Sequence, residues 1–200
     1  MPDKKQLLTE KAAELFNKEG FQSPSIDRIA AYAHIAKMTF YRYYPDKISL
    51  IQTILETRLE QFSAQLTALE SQTDNPRDQL FSIFDFYAKW FASHDYHGCL
   101  FTRASQEYGQ QYPQINTINQ KFKQSLADLL TRVLIPKLKP EVAQRTAMML
   151  LMLIDGAIVN SQVTTTYSED YPPAATAWQA AKTLLYMQGY PLDAPIGEKS

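Results

Sequence analysis

Apolar residues recur along this chain at intervals of three and four, and almost no window alternates polar with apolar as a half-buried strand requires. The pattern predicts an all-α fold of nine helices. The first covers about Lys4 to Lys18, with Leu8, Ala12, Leu15 and Phe16 on one face and Gly20 as its stop. Ser25 caps a short second helix through Ala33, and a third begins near Ala36 and ends before Pro45, since proline disfavours helical backbone in the residue ahead of it. Asp46 caps a fourth helix to about Glu70 that carries Leu50, Ile54, Phe62, Leu66 and Leu69. Asn75 and Pro76 open a fifth, rich in rings, which ends at Ser93. The sixth runs from Gly98 to Gly109, the seventh from Pro113 to about Leu134, and the eighth from Pro140 to about Thr165. The ninth starts at Pro172 or Pro173 and stops at Gly189, leaving a frayed tail, "YPLDAPIGEKS".

Composition adds little that contradicts this. A chain of 200 residues, 45% apolar and 20% charged, can bury a core. The amino terminus is charged where a secretory segment needs an unbroken apolar stretch. The longest apolar run, "AMMLLMLIDGAIV", is interrupted by Asp155 and too short to span a bilayer, so no membrane association is expected and the location is read as cytoplasmic. A single cysteine, Cys99, excludes an internal disulfide and a multi-cysteine zinc site. Charge is only mildly asymmetric: residues 1–50 hold eight Lys/Arg against six Asp/Glu, and the other 150 hold twelve against fifteen. Nucleic-acid binding therefore has to be argued from local placement.

That placement is found in "IAKMTFYRYYPDK", residues 35–47. Only three or four residues link the second and third predicted helices, the geometry of a helix-turn-helix whose second helix enters a major groove. Ile29, Ala30, Ala33 and Ile35 form an apolar seam between the two helices, and Phe40 and Tyr44 belong to the inner face. Lys37, Met38, Thr39, Tyr41, Arg42 and Tyr43 remain outward. A cation and a hydroxyl reach base edges, methionine touches a thymine methyl, and tyrosine hydroxyls donate to phosphate. Ser25 and Lys47 stand at the starts of the second and fourth helices as phosphate clamps.

The stretch "SIDRIAAYAHIAKMTFYRYYPDKISL" resembles the DNA-binding segment of the TetR family of bacterial transcriptional regulators, through Ser25, Ile29, Ala30, Thr39, Phe40, Tyr41 and Lys47. His34 stands where that family usually has a turn glycine, Ala36 where a Ser or Thr cap is common, and Met38 where glycine is frequent. The resemblance implies a DNA-binding domain over residues 1–47 and a ligand-binding and dimerisation body over 48–200. It further implies a double-stranded DNA operator as partner and a homodimer built from helices eight and nine. Helix eight is apolar over much of its circumference (Met148, Met149, Leu151, Met152, Ile154, Ile158), and helix nine offers Ala174, Ala177, Ala180, Ala181 and Leu184.

The resemblance also implies a small, often apolar effector enclosed by helices four to seven. Candidate wall residues are Phe62, Leu66, Phe84, Tyr87, Trp90, Phe101, Tyr108, Met149 and Met152, which equally suit a plain core. Cys99 at a helix start is either a thiol sensor or a buried core residue. His94, Asp95, His97 and Cys99 have metal-binding residue types but no recognisable ligand spacing, so no metal and no cofactor is expected. Asp155 and Arg103 read as structural pairing or capping groups. The leading reading is a repressor released from its operator by an effector. An architectural DNA binder without effector, and an all-helical enzyme acting on a small apolar molecule, stand as alternatives. No nucleophile motif, phosphate loop or carboxylate pair favours the enzyme.

Overall fold

The computed structural model describes residues 3–163 and 170–190. Among these there are nine helices: α1 (Lys4–Glu19), α2 (Ile26–Tyr32), α3 (Lys37–Tyr43), α4 (Lys47–Glu70), α5 (Pro76–Phe91), α6 (Leu100–Tyr108), α7 (Pro113–Leu134), α8 (Pro140–Asn160) and α9 (Pro173–Met187). Local chemistry explains the boundaries. Asp3, Ser25 and Asn75 accept from backbone N–H groups in the first turns of α1, α2 and α5, and Asp46 does so for Ser49 at 2.7 Å ahead of α4. The helix expected to reach Thr165 ends at Asn160, where Ser161 takes the carboxy-terminal cap position; residues 164 and 165, like the tail from 191, lie outside the described residues. The sixth helix starts at Leu100 rather than Gly98, because Gly98 has φ +92° and Cys99 is the cap.

The chain divides into two compact units, and the division falls inside α4 and α7. One comprises the residues up to Phe62 with His97–Phe122, the other Ser63–Tyr96 with the residues from Lys123. In the first unit, Leu8, Phe16, Phe21, Ile29, Phe40, Leu50 and Ile51 have no exposed surface and form the core behind α2 and α3. Helix α6 belongs to this unit. Phe21 and Gln22 donate their backbone N–H groups to Glu107 Oε2 at 2.9 and 2.7 Å, Gln22 Nε2 donates to the Glu107 carbonyl at 3.2 Å, and Arg103 donates to the Asn17 carbonyl at 3.0 Å. Of the pairing or capping roles open to Arg103, the bond to the Asn17 carbonyl in the last turn of α1 is a capping one.

In the second unit α9 packs on α8 and α5, with Ala174, Ala177, Ala181 and Leu185 buried on α9 and Leu150 and Ile154 buried on α8. Three of the alanines set down for a dimer interface are therefore spent on close packing within the chain. The 21 residues of α8 are long and apolar enough to cross a membrane by length and composition, although the uninterrupted run within it is not; 44% of its most apolar 18-residue stretch is buried inside the protein. Lys123 and Asp155 form an ion pair, and Arg132 on α7 holds Glu70 at the end of α4 through two bonds of 2.9 and 2.8 Å.

Candidate nucleic-acid interface

The turn between α2 and α3 is built by His34, whose φ of +52° is the left-handed conformation that glycine adopts most readily. His34 N–H donates to the Ala31 carbonyl at 3.1 Å and Ile35 N–H to the Ala30 carbonyl at 3.0 Å, which satisfies the end of α2. Ala36 is the cap of α3 and makes no side-chain bond, so the capping that Ser25 gives α2 is missing here.

Phe40 is fully buried and Tyr44 nearly so, with the Tyr44 hydroxyl 2.7 Å from Thr9 Oγ1 on α1. These two residues fix which flank of a helix of seven residues is left outside. On that flank Met38 is 78% exposed, Lys37, Tyr41 and Arg42 are exposed, and Thr39 and Tyr43 are half-buried. Arg42 lies over the Tyr43 ring at 5.4 Å, which keeps that cation beside an aromatic face.

Two cations have partners that sequence reasoning missed. Lys37 Nζ lies 2.8 Å from Asp27 Oδ1, and the bond to that carboxylate raises the Lys37 pKa above the ordinary value for lysine. Lys47 is half-buried: its ammonium donates to the Gln22 carbonyl at 3.1 Å and sits 5.9 Å from the Phe16 ring centroid, and desolvation lowers its pKa. Lys47 therefore reaches the surface from a socket rather than as a free arm. Ser25 is exposed, with its hydroxyl accepting from Arg28 N–H at 3.2 Å. The separation of ten positions between residues 27 and 37 gave no periodic signal for their pairing; it arises only once the turn folds α3 back along α2.

The nine residues expected to surround an effector fall in several places. Phe62 and Phe101 are buried in the first unit, each against Phe122, with ring centroids at 4.6 and 4.2 Å from it. Tyr108 is half-buried near Tyr112, and desolvation raises its pKa. Leu66, Phe84 and Tyr87 are buried in the second unit and Trp90 is half-buried there. Phe84 lies 5.2 Å from Trp178, while Trp90 lies 5.9 Å from Tyr87 and 4.9 Å from Tyr96.

Met149 and Met152 do not line an interior. They are 37% and 67% exposed, on the outer face of α8 with Met148 and Val159, because Leu150, Leu151 and Ile154 occupy the inner face. Phe122, Trp178 and Tyr96 join the aromatic clusters without having been singled out; each lies in a stretch whose spacing marks only a buried face. Cys99 is buried, and among the described residues no group of three or more His, Cys, Asp or Glu could hold a metal ion.

Residues 8–54 match the family model for bacterial regulatory proteins of the tetR family. Among curated relatives, this chain is similar to two HTH-type transcriptional regulators of Bacillus subtilis (strain 168), both described as uncharacterized. YuxN is 31% identical over 77 residues, which are 38% of this chain and 26% of YuxN; YhgD is 28% identical over 88 residues, 42% of this chain and 46% of YhgD. The match thus spans less than half the length of either relative. The fold is similar over nearly the whole length to SCO4454, a TetR-family transcriptional regulator from Streptomyces coelicolor, with a TM-score of 0.84, 23% identity and coverage of 92% of this chain and 95% of that one.

Proposed function

Because its amino-terminal segment belongs to the tetR family of bacterial regulatory proteins and its helices follow the all-α TetR fold, we propose that this protein is a DNA-binding transcriptional regulator acting in the cytoplasm as a homodimer. The observation that carries the reading is the outward flank of α3. Lys37, Met38, Tyr41 and Arg42 are exposed on it, Lys37 paired with Asp27, while Phe40 and Tyr44 lock the opposite flank into the core. A short helix held this way enters a major groove without refolding. Lys37, Met38 and Thr39 read base edges; Tyr41, Arg42 and Tyr43 reach phosphates; Ser25 and Lys47 grip the backbone on either side.

The exposed apolar face of α8 and α9, with Met148, Met149, Met152, Val159, Tyr186 and Met187, is the surface through which two copies join. Pairing supplies the two recognition helices that half-sites about one helical turn apart require. The buried aromatic clusters of the body are where a small, largely apolar effector binds; α4, which continues from the first unit into the second, carries its effect to the DNA-binding end. Such an effector releases the operator only if its affinity differs between the two states, and the reading is therefore of a ligand-responsive repressor with that differential affinity.

Titration of full-length protein onto duplex from its own promoter region tests this. Binding should fall steeply with salt, and Thr39→Ala should cost about 1–3 kcal/mol on the preferred duplex. Equal affinity for random duplex would point instead to an architectural binder, and mass change in a bound apolar ligand would point to an enzyme.

A further inference from the structure

The pairing of Lys37 with Asp27 has a consequence for what α3 reads. The carboxylate side chain is 68% exposed and the ammonium side chain 52% exposed, so an acceptor and a donor stand side by side at 2.8 Å at the leading end of α3. The helices that carry them are anchored from behind: Ile29 on α2 and Phe40 on α3 have no exposed surface, and the His34 turn joins the two helices.

In the major groove every base pair also presents a donor beside an acceptor. Cytosine N4 or adenine N6 carries the amino donor, guanine O6 or thymine O4 the acceptor, and the two are hydrogen-bonded to each other at about 2.9 Å. The spacing of the protein pair matches that of the base-pair edge. From this complementarity we infer that Asp27 and Lys37 act as one reading unit for a G·C base pair in a single orientation, with Asp27 accepting from cytosine N4 and Lys37 donating to guanine O6.

Turning the base pair round sets amino group against ammonium and carbonyl against carboxylate, which is unfavourable at both points. T·A offers the same order of donor and acceptor, but guanine adds N7 as a second acceptor for Lys37. A lysine alone donates to any base that shows it an oxygen or N7; the neighbouring carboxylate supplies the discrimination. It also repels phosphate, which lowers affinity for arbitrary duplex.

This inference rests on the reading of α3 as a groove-entering helix, and the experiment separates the two. Full-length wild type, Asp27→Ala and Lys37→Ala proteins each select duplexes from a random library, and the enriched sites are compared position by position. Wild type should enrich a motif with one position per half-site occupied by G·C in one orientation. Asp27→Ala and Lys37→Ala should both relax that same position by roughly tenfold or more and leave the rest of the motif intact. The exchange of Asp27→Lys with Lys37→Asp in one protein should invert the preferred base pair to C·G.

An unchanged motif in Asp27→Ala, with affinity merely raised for every duplex, would overturn the reading unit while leaving the DNA-binding function standing. So would relaxation at different positions in the two single variants, or an exchange variant that keeps G·C. Failure of the wild type to enrich any motif would overturn both.

Discussion

Individual positions around the turn show how little sequence is needed to break a local rule and how it is compensated. Ala36 occupies a cap position with extended backbone (φ −71°, ψ 146°) and no side-chain oxygen to offer, yet α3 forms because Phe40 and Tyr44 anchor it. Ala36→Ser should therefore stabilise the protein by about 0.5–2 kcal/mol, read as a raised urea midpoint at unchanged slope. Removing the anchor acts more strongly. Phe40→Ala leaves a cavity where no surface was exposed and should cost about 3–5 kcal/mol in the same measurement. Gly20 is constrained from two sides: its φ of +82° disfavours any side chain, and a Cβ would lie 3.0 Å from Glu107 Oε1. Gly20→Ala should destabilise by about 1–3 kcal/mol, seen as a lower thermal midpoint.

At the scale of elements, polar ties hold helices that hydrophobic pattern alone places only roughly. Arg132 and Glu70 join α7 to the end of α4, and the bond from the guanidinium lowers the Glu70 carboxyl pKa below its ordinary value against the opposing effect of desolvation. A depressed folded-state pKa contributes stability that is complete above the unfolded value, about 4.3, and disappears as pH falls through the folded one. The pair is largely solvated, so Arg132→Ala should lower stability by only about 0.2–1 kcal/mol at neutral pH. The gap in melting temperature between Arg132→Ala and wild type should close as the solution is acidified below about pH 4. Helix α8 carries a different expectation. If its methionine face joins two copies, Met152→Lys should convert a dimer to a monomer in sedimentation velocity, and a wild type that already sediments as a monomer would remove that surface from the proposal.

Across the whole molecule, the net charge of −1 means that attraction to DNA comes from a few placed cations rather than a basic field. Lys37 and Lys47 already have internal partners, so under the proposed reading of α3 the exposed Arg42 on its outward flank is the phosphate contact to test. Arg42→Ala should weaken binding about equally on all duplexes and reduce the slope of log affinity against log salt by about 1. The sequence by itself determined the nine helices, the buried face of α3 and the helix-turn-helix, because caps, prolines and three-to-four spacing act between residues close along the chain. Only the tertiary structure decided that Asp27 faces Lys37, that Glu107 and Arg103 tie α6 to the end of α1 and the loop after it, and that Met149 and Met152 stand exposed on α8. Those outcomes depend on which side chains meet across separations of ten to nearly ninety residues, and on which side of a largely apolar helix the chain itself covers. Periodicity marks a face as apolar; it carries no information about what that face will touch.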